Sequence, residues 1–270
     1  VKVTVGWLSY ITEKNFKYRF EDFSKSLNSL EIFKRKDIEF ISIDNSSIEA
    51  AVSKIKQSCV FDTFYHYQKN YFDVSLFYTT LWHAELSNSE YTCFMYDDFI
   101  AYDDAFEDVI KFMDDNPHVS CTRIAYYDFQ AKSKFDSKIT PKYINPDSVR
   151  HYNTVTNQSL SWSDPINVGK HRFFINNWHY TSRPMIWRTS FLLKMLKSQE
   201  EKSKVLQGFE GWASKIAESQ GLVTGVLDGG MVKTTHVENS ARTIELGHSD
   251  EISIKISISE LRQDFNKFTE

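Results

Sequence analysis

The chain has 270 residues and a mass of 31.6 kDa, with 41% hydrophobic and 25% charged residues, which excludes disorder and collagen-like structure and supplies enough apolar surface for a full core. Lys+Arg 32 against Asp+Glu 36 gives a formal net charge of -4, which argues against a nucleic-acid coat or a strong attraction to anionic membrane. Cys59, Cys93 and Cys121 are far apart and odd in number, as suits buried thiols of a reducing compartment, and no apolar run of about 18 residues occurs, so the expectation is a cytoplasmic protein without a transmembrane segment.

Val1, Val3, Val5 and Trp7 alternate before Leu8, the pattern of a strand with a buried face ending at Ser9. Phe20, Phe23, Leu27 and Leu30 then fall at helical spacing, and Ile38 to Ile43 reads as a second strand. Ser46-Ser47-Ile48-Glu49 has the form of a capping box, opening a helix whose buried stripe is Ile48, Ala51, Val52 and Ile55. Cys59 to Phe64 is read as a short strand, Asp73 to Leu86 as a helix apolar almost all round, and Tyr91 to Tyr96 as another strand. After Asp97-Asp98 a helix from about Asp103 carries Phe106, Val109, Ile110 and Met113 inward and ends before Asn116-Pro117; Val119 to Tyr127 is the next strand. Strands alternating with helices of this length predict an α/β fold with a mostly parallel sheet, because parallel neighbours need crossover helices. Such sheets bind ligands at the carboxyl ends of their strands.

From Asp128 to His171 the periodicity gives way to a polar stretch, the kind of segment that forms binding loops or lids. Order returns with a strand at Pro184 to Trp187, a helix from Ser190 to Leu196, and a helix from Glu210 to Gln220 stopped by Gly221. Ile252, Ile254, Ile256 and Ile258 alternate with polar residues as an outer strand before a short terminal helix. The expected organisation is one domain of two halves, 1–127 and 128–270, which the family resemblance given below makes a nucleotide-sugar-binding half and an acceptor-binding half.

Two places put acids just beyond a strand. Asp44-Asn45-Ser46-Ser47 offers a carboxylate to a base N–H or a ribose hydroxyl, or an ordinary Asx turn. Asp97-Asp98 offers hard oxygen ligands to Mg²⁺ or Mn²⁺ bridged to a diphosphate, or simply a solvated strand end. In the second half Glu210 opens a helix beside Trp212; a helix start keeps a carboxylate ionised, as a general base needs, or lets it serve only the helix dipole. His236, at the end of a strand, is a candidate for metal or phosphate, and Arg183 and Arg188 are candidates for phosphate or for ion pairing. Aromatic residues make up 15% of the chain, and Trp162, Trp178, Trp187 and Trp212 crowd its second half with Tyr152, His179 and Tyr180, suiting either pyranose faces or core.

Taken in order, these residues resemble the inverting glycosyltransferases of family 2, which have the GT-A fold, a Rossmann-like sheet flanked by helices. Val3 to Ser9 and the helix ending Ser26-Leu27-Asn28-Ser29-Leu30 resemble the first strand and helix of that family. Ile41 to Ser47 resembles its nucleotide-base segment, and Tyr91 to Asp98 the strand carrying its metal-binding DxD motif, with Tyr96 standing where the first acid would be. The resemblance implies a nucleoside diphosphate sugar donor, UDP-linked by a mild preference, contacted by Ser9, Asp44, Asn45, Asp97, Arg183 and Trp212. It further implies Mn²⁺ or Mg²⁺ on Asp98 and His236, Glu210 as base, and a hydroxyl of a glycan or other acceptor. A nucleotidyltransferase and a noncatalytic glycan-binding module are the alternatives. Ser9 to Lys14 lacks the glycine-rich phosphate loop the first would need.

Overall fold

The structure is a computed structural model and describes residues 2–126, 163–177, 184–202, 216–217, 219–234 and 257–269. The chain forms two compact units. One draws on Val1–Ala101, Thr189–Gln207 and Thr234–Glu270, the other on Tyr102–Arg188 and Gly208–Lys233.

The first unit is a run of strand–helix repeats: β1 (Val3–Ser9), α1 (Phe16–Ser29), a 3₁₀ turn at Leu30–Phe33, β2 (Ile38–Asn45), α2 (Glu49–Gln57), β3 (Thr63–Tyr67), α3 (Phe72–Leu86), β4 (Tyr91–Tyr96) and the short β5 (Phe99–Ala101). Its sheet order is β3-β2-β1-β4, all parallel. Every residue of β1 is buried, as expected of a strand covered on both faces. Gly6 allows this at its closest point: a Cβ there would collide with the Thr80 side chain of α3, so the absent side chain is what lets that helix lie on β1. Helix α3 has ten buried residues spread around its circumference, as its apolar composition predicts. Two further helices belong to this unit, α5 (Thr189–Lys202) and α6 (Ile258–Thr269); α4 (Phe106–Asp115) lies in the other unit. Helix α6 covers edge strand β3: Phe265 stacks on Tyr65 with ring centroids 5.4 Å apart, and Tyr71 donates to Asp264 at 2.6 Å.

The second unit holds α4 (Phe106–Asp115), β6 (Val119–Arg123), β7 (Ala125–Tyr126), β8 (Ile166–Val168), β9 (His171–Asn176), β10 (Met185–Arg188), β11 (Val223–Leu227) and β12 (Val232–Thr234). The order β10-β6-β11-β9-β8 mixes directions: β6 and β11 are parallel, while β10, β9 and β8 pair antiparallel. Phe112 of α4 stacks on Phe173 of β9, centroids 4.5 Å apart and planes 7° from parallel.

Several expectations need correction. The capping box at Ser46-Ser47-Ile48-Glu49 does not form. Ser46 takes a positive φ of 65°, Ile48 is the N-cap and makes no side-chain cap, and the Ser47 hydroxyl instead accepts from Ile11 N–H at 2.8 Å. The strand expected at Cys59 to Phe64 begins only at Thr63, because Cys59 has φ 34° and Asp62 bonds Phe40 through both its backbone and its carboxylate. The strand expected at Val119 to Tyr127 is two strands as far as Tyr126, interrupted at Ile124, whose N–H goes to Pro184 O and whose carbonyl accepts from Met231; Tyr127 lies outside the described residues. The polar stretch to His171 already contains β8 and the start of β9. Ile258 opens α6 instead of ending a strand; Ile252, Ile254 and Ile256 lie outside the described residues. Strand β11, built around Gly225, carries too little alternation to be recognised from sequence.

Candidate functional site

Parallel pairing brings the carboxyl ends of β1, β2, β3 and β4 to one edge. The register sets Ser9 opposite Asp44 and Asp44 opposite His66, with Leu8 opposite Tyr96 just before Asp97. This edge belongs wholly to the first unit and lies where an open parallel sheet offers a ligand crevice.

Asp44 is the hub. Its Oδ1 accepts from the Ser9 hydroxyl at 2.8 Å, and its Oδ2 accepts from Ser47 N–H at 3.0 Å and from His66 Nδ1 at 2.8 Å. Three donors use most of a carboxylate's acceptor capacity, and Asp44 has no exposed surface at all. The Asp44 carboxylate does bond the backbone that follows it, but at Ser47, three residues on rather than the two of an Asx turn, and that bond belongs to the web. Asn45 bonds in another direction. Its Nδ2 donates to Phe72 O at 3.0 Å and its Oδ1 accepts from Ser75 Oγ at 2.8 Å, tying the end of β2 to the start of α3.

Asp97 is almost as deeply set. It pairs with Arg19 of α1, and its Oδ2 accepts from Tyr10 N–H at 3.3 Å. Burial pushes its carboxyl above the ordinary carboxylate range; the Arg19 guanidinium and the Tyr10 N–H pull the other way, and the charge of nearby Asp44 adds to the upward push. The glycine-free loop from Tyr10 to Asn15 is thus held from three directions. Asp97 and Ser47 grip its backbone, and Asn15 folds it from within by accepting from Thr12 N–H at 2.8 Å and donating to Tyr10 O at 3.3 Å.

Ser9, Asp44, Asn45, Asp97 and Asp98 are thereby gathered at one sheet edge. Glu210, Trp212, Arg183 and His236 lie outside the described residues, as do Trp162, Trp178, Tyr152, His179 and Tyr180. Trp187 is core, 1% exposed, and Arg188 bonds the carbonyls of Val119, Met113 and Asn116, closing the end of α4. Arg19 and His66 escaped the sequence reading. Arg19 sits in an aromatic run, Phe16-Lys17-Tyr18-Arg19-Phe20, where a cation flanked on both sides by aromatic residues is the available signal; His66 is identifiable only through the register that sets it beside Asp44.

Among the described residues no cluster of three His, Cys, Asp or Glu side chains is arranged to hold a metal ion, and Asp97 is committed to Arg19. Asp98 adds a carboxylate of intermediate exposure next to it. A hard cation that completes its shell with diphosphate and water needs only one or two carboxylates, so the donor set suits a metal that arrives with its nucleotide.

The family model described as glycosyl transferase family 2 matches residues 19–181, more than half of the chain. No curated protein matches it significantly in sequence. Among solved structures, residues 1–349 of TarS from S. aureus are 14% identical over all of this chain and 71% of that one, with a TM-score of 0.48. The same protein in complex with UDP-GlcNAc gives 13%, 100% and 72%, again with a TM-score of 0.48. The mannosyltransferase PcManGT from Pyrobaculum calidifontis, in complex with GDP-Man and Mn²⁺, is 12% identical over 83% of this chain and 53% of that one, with a TM-score of 0.47. The weight rests on the family match.

Proposed function

The chain belongs to glycosyltransferase family 2, and from that premise we propose that it moves a sugar, with inversion and with a divalent metal, from a nucleoside diphosphate donor to an acceptor hydroxyl, UDP-sugars being mildly preferred. The observation that carries the reading is the gathering of Asp44, Asp97 and the tethered Tyr10–Asn15 loop at the carboxyl ends of β1, β2 and β4. We assign donor binding to residues 1–127 and acceptor binding to 128–270.

In this reading Asp98 and His236 would hold Mn²⁺ or Mg²⁺, which would supply positive charge to offset that of the diphosphate leaving group. Ser9, Asp44 and the groups around them hold the nucleoside; Asp97, neutralised by Arg19, keeps the loop rigid rather than adding a second negative charge beside the phosphates. Glu210 takes the proton of the acceptor hydroxyl as its oxygen attacks the anomeric carbon and the bond from that carbon to the diphosphate oxygen breaks. Trp212 offers a face to the sugar and Arg183 a cation to phosphate.

The test is product analysis with Mn²⁺ over a panel of donor sugars and acceptors. Release of nucleoside diphosphate coupled to a glycosylated product is expected. Pyrophosphate release would mark nucleotidyl transfer instead, and binding without release a glycan-binding module.

A further inference from the structure

Helix α6 lies beyond residues 19–181, the part of the chain that the family model matches, yet it packs on the strand that borders the Asp44 web. Alternation along β3 separates two jobs: Tyr65 and Tyr67 pack under α6, while His66 between them turns to the opposite face and bonds Asp44. Phe268 meets both tyrosines edge to face, its centroid 5.5 Å from each, and the Arg262 guanidinium lies 4.5 Å from the ring centroid of Trp82 in α3. Just past β3, two polar contacts tie the turn at 68–71 to the helix. Lys69 pairs with Glu260, and Tyr71, with no exposed surface, donates to Asp264 Oδ2 at 2.6 Å. Hydrogen bonds from Lys267 and Tyr71 hold the Asp264 carboxyl below the usual carboxylate range, so it stands as an acceptor.

That turn leads into a strained residue. Phe72 has a φ of 54°, uncommon outside glycine, and such a conformation persists only where its surroundings over-determine it. Its N–H donates to Asn70 Oδ1 at 2.8 Å, and its carbonyl accepts from Asn45 Nδ2 at 3.0 Å and from Ser75 Oγ at 2.8 Å. A continuous line of contacts therefore runs from Asp264 through Tyr71 and Phe72 to Asn45, the neighbour of Asp44.

We infer that α6 is a clamp on the nucleotide edge: docked on β3, it holds the turn at 68–71 in the shape that donor binding uses, with Tyr71 and Asp264 as positioning residues. This rests on the donor-binding reading above and deepens it, since a helix from the half assigned to the acceptor then serves the donor.

The experiment is titration calorimetry of the full chain with Mn²⁺ and UDP, GDP, CDP or ADP, alongside amide hydrogen exchange of residues 68–72. Asp264→Ala, which removes the acceptor for Tyr71, is expected to bind the tightest of these nucleotides about fivefold more weakly or worse and to speed exchange across the turn. Asp264→Asn keeps an acceptor oxygen and should recover most of the affinity, whereas Gln263→Ala, exposed on the same helix, should match the parent. Tyr71→Phe removes a single oxygen and is read by the same criteria should Asp264→Ala fold poorly. Combined with Asp264→Ala it should cost little further affinity, because both substitutions break one bond. Unchanged nucleotide affinity in the folded Asp264→Ala or Tyr71→Phe protein, whatever its melting temperature, or additive losses in the double variant, overturns this inference alone. A parent that binds none of the four nucleotides overturns it together with the sugar-transfer reading.

Discussion

Arg19 and Asp97 meet with side chains only 11% and 7% exposed, so each is desolvated and each depends on the other. Removing one partner of such a pair leaves an unmatched buried charge, which typically costs about 3–5 kcal/mol. Arg19→Met is therefore expected to lower stability by that order. The pH dependence has a definite sign. Burial already raises the Asp97 pKa, and losing the guanidinium raises it further. An acid whose folded pKa stands above its unfolded value, about 3.9, contributes stability fully present below the unfolded pKa and lost as pH rises through the folded one. Urea midpoints of Arg19→Met and parent should thus diverge with rising pH and converge on acidification; a gap that stays constant would mean the guanidinium contributes packing rather than charge. At the neighbouring residue, Asp98→Ala should abolish the metal dependence of nucleotide binding, measured by calorimetry with and without Mn²⁺, while unchanged dependence would remove Asp98 from the metal.

Elements owe their places to features of unequal visibility. Strands β1, β2 and β4 and helices α1 and α4 are legible because their apolar residues recur at strand or helix spacing, as Val3, Val5 and Trp7 or Val109, Ile110 and Met113 display, and α3 because its apolar run is too long for a strand. The start of α2 is not, because Ser47 serves a tertiary bond to Ile11 that no local motif announces. Likewise the acids at the strand ends are readable as residue types, whereas the pairings that decide their roles, Asp97 with Arg19 and Asp44 with His66, span 78 and 22 positions and exist only once the parallel register is formed. Gly6 is the element-scale counterpart: unremarkable in a strand, it sets how closely α3 can lie. Gly6→Ala is expected to cost about 1–3 kcal/mol as an overpacked contact, seen as a lowered melting temperature. Thr80→Ala in the same chain should restore part of that loss, since it withdraws Oγ1 and Cγ2 and leaves only Cβ close; strict additivity in the double-mutant cycle would show that the two positions do not contact.

For the whole molecule, the division of labour between donor binding and chemistry is itself testable. Every hydrogen bond of the Asp44 web lies within the first unit, and the acid proposed as base comes from the other half of the sequence. Substitutions in the two places should therefore fail in different ways. Asp44→Asn loosens the web that joins Ser9, Ser47 and His66, so nucleotide binding should weaken by about tenfold while turnover at saturating donor stays within a few-fold of the parent, because an interaction made equally in ground and transition states shows in KM alone. Glu210→Gln keeps the size of the side chain but cannot accept a proton, so turnover should fall by about 10²- to 10⁴-fold, the range for lost general-base catalysis, with nucleotide affinity and melting temperature near those of the parent. Steady-state kinetics and calorimetry on both variants separate the outcomes. A Glu210→Gln protein that lost stability but kept its turnover per folded molecule would make that glutamate structural, and the search for the base would move to Asp164, Asp228 and Glu238. Of these Asp228 is already paired with Arg172, so its release from that pair would have to precede any role in proton transfer.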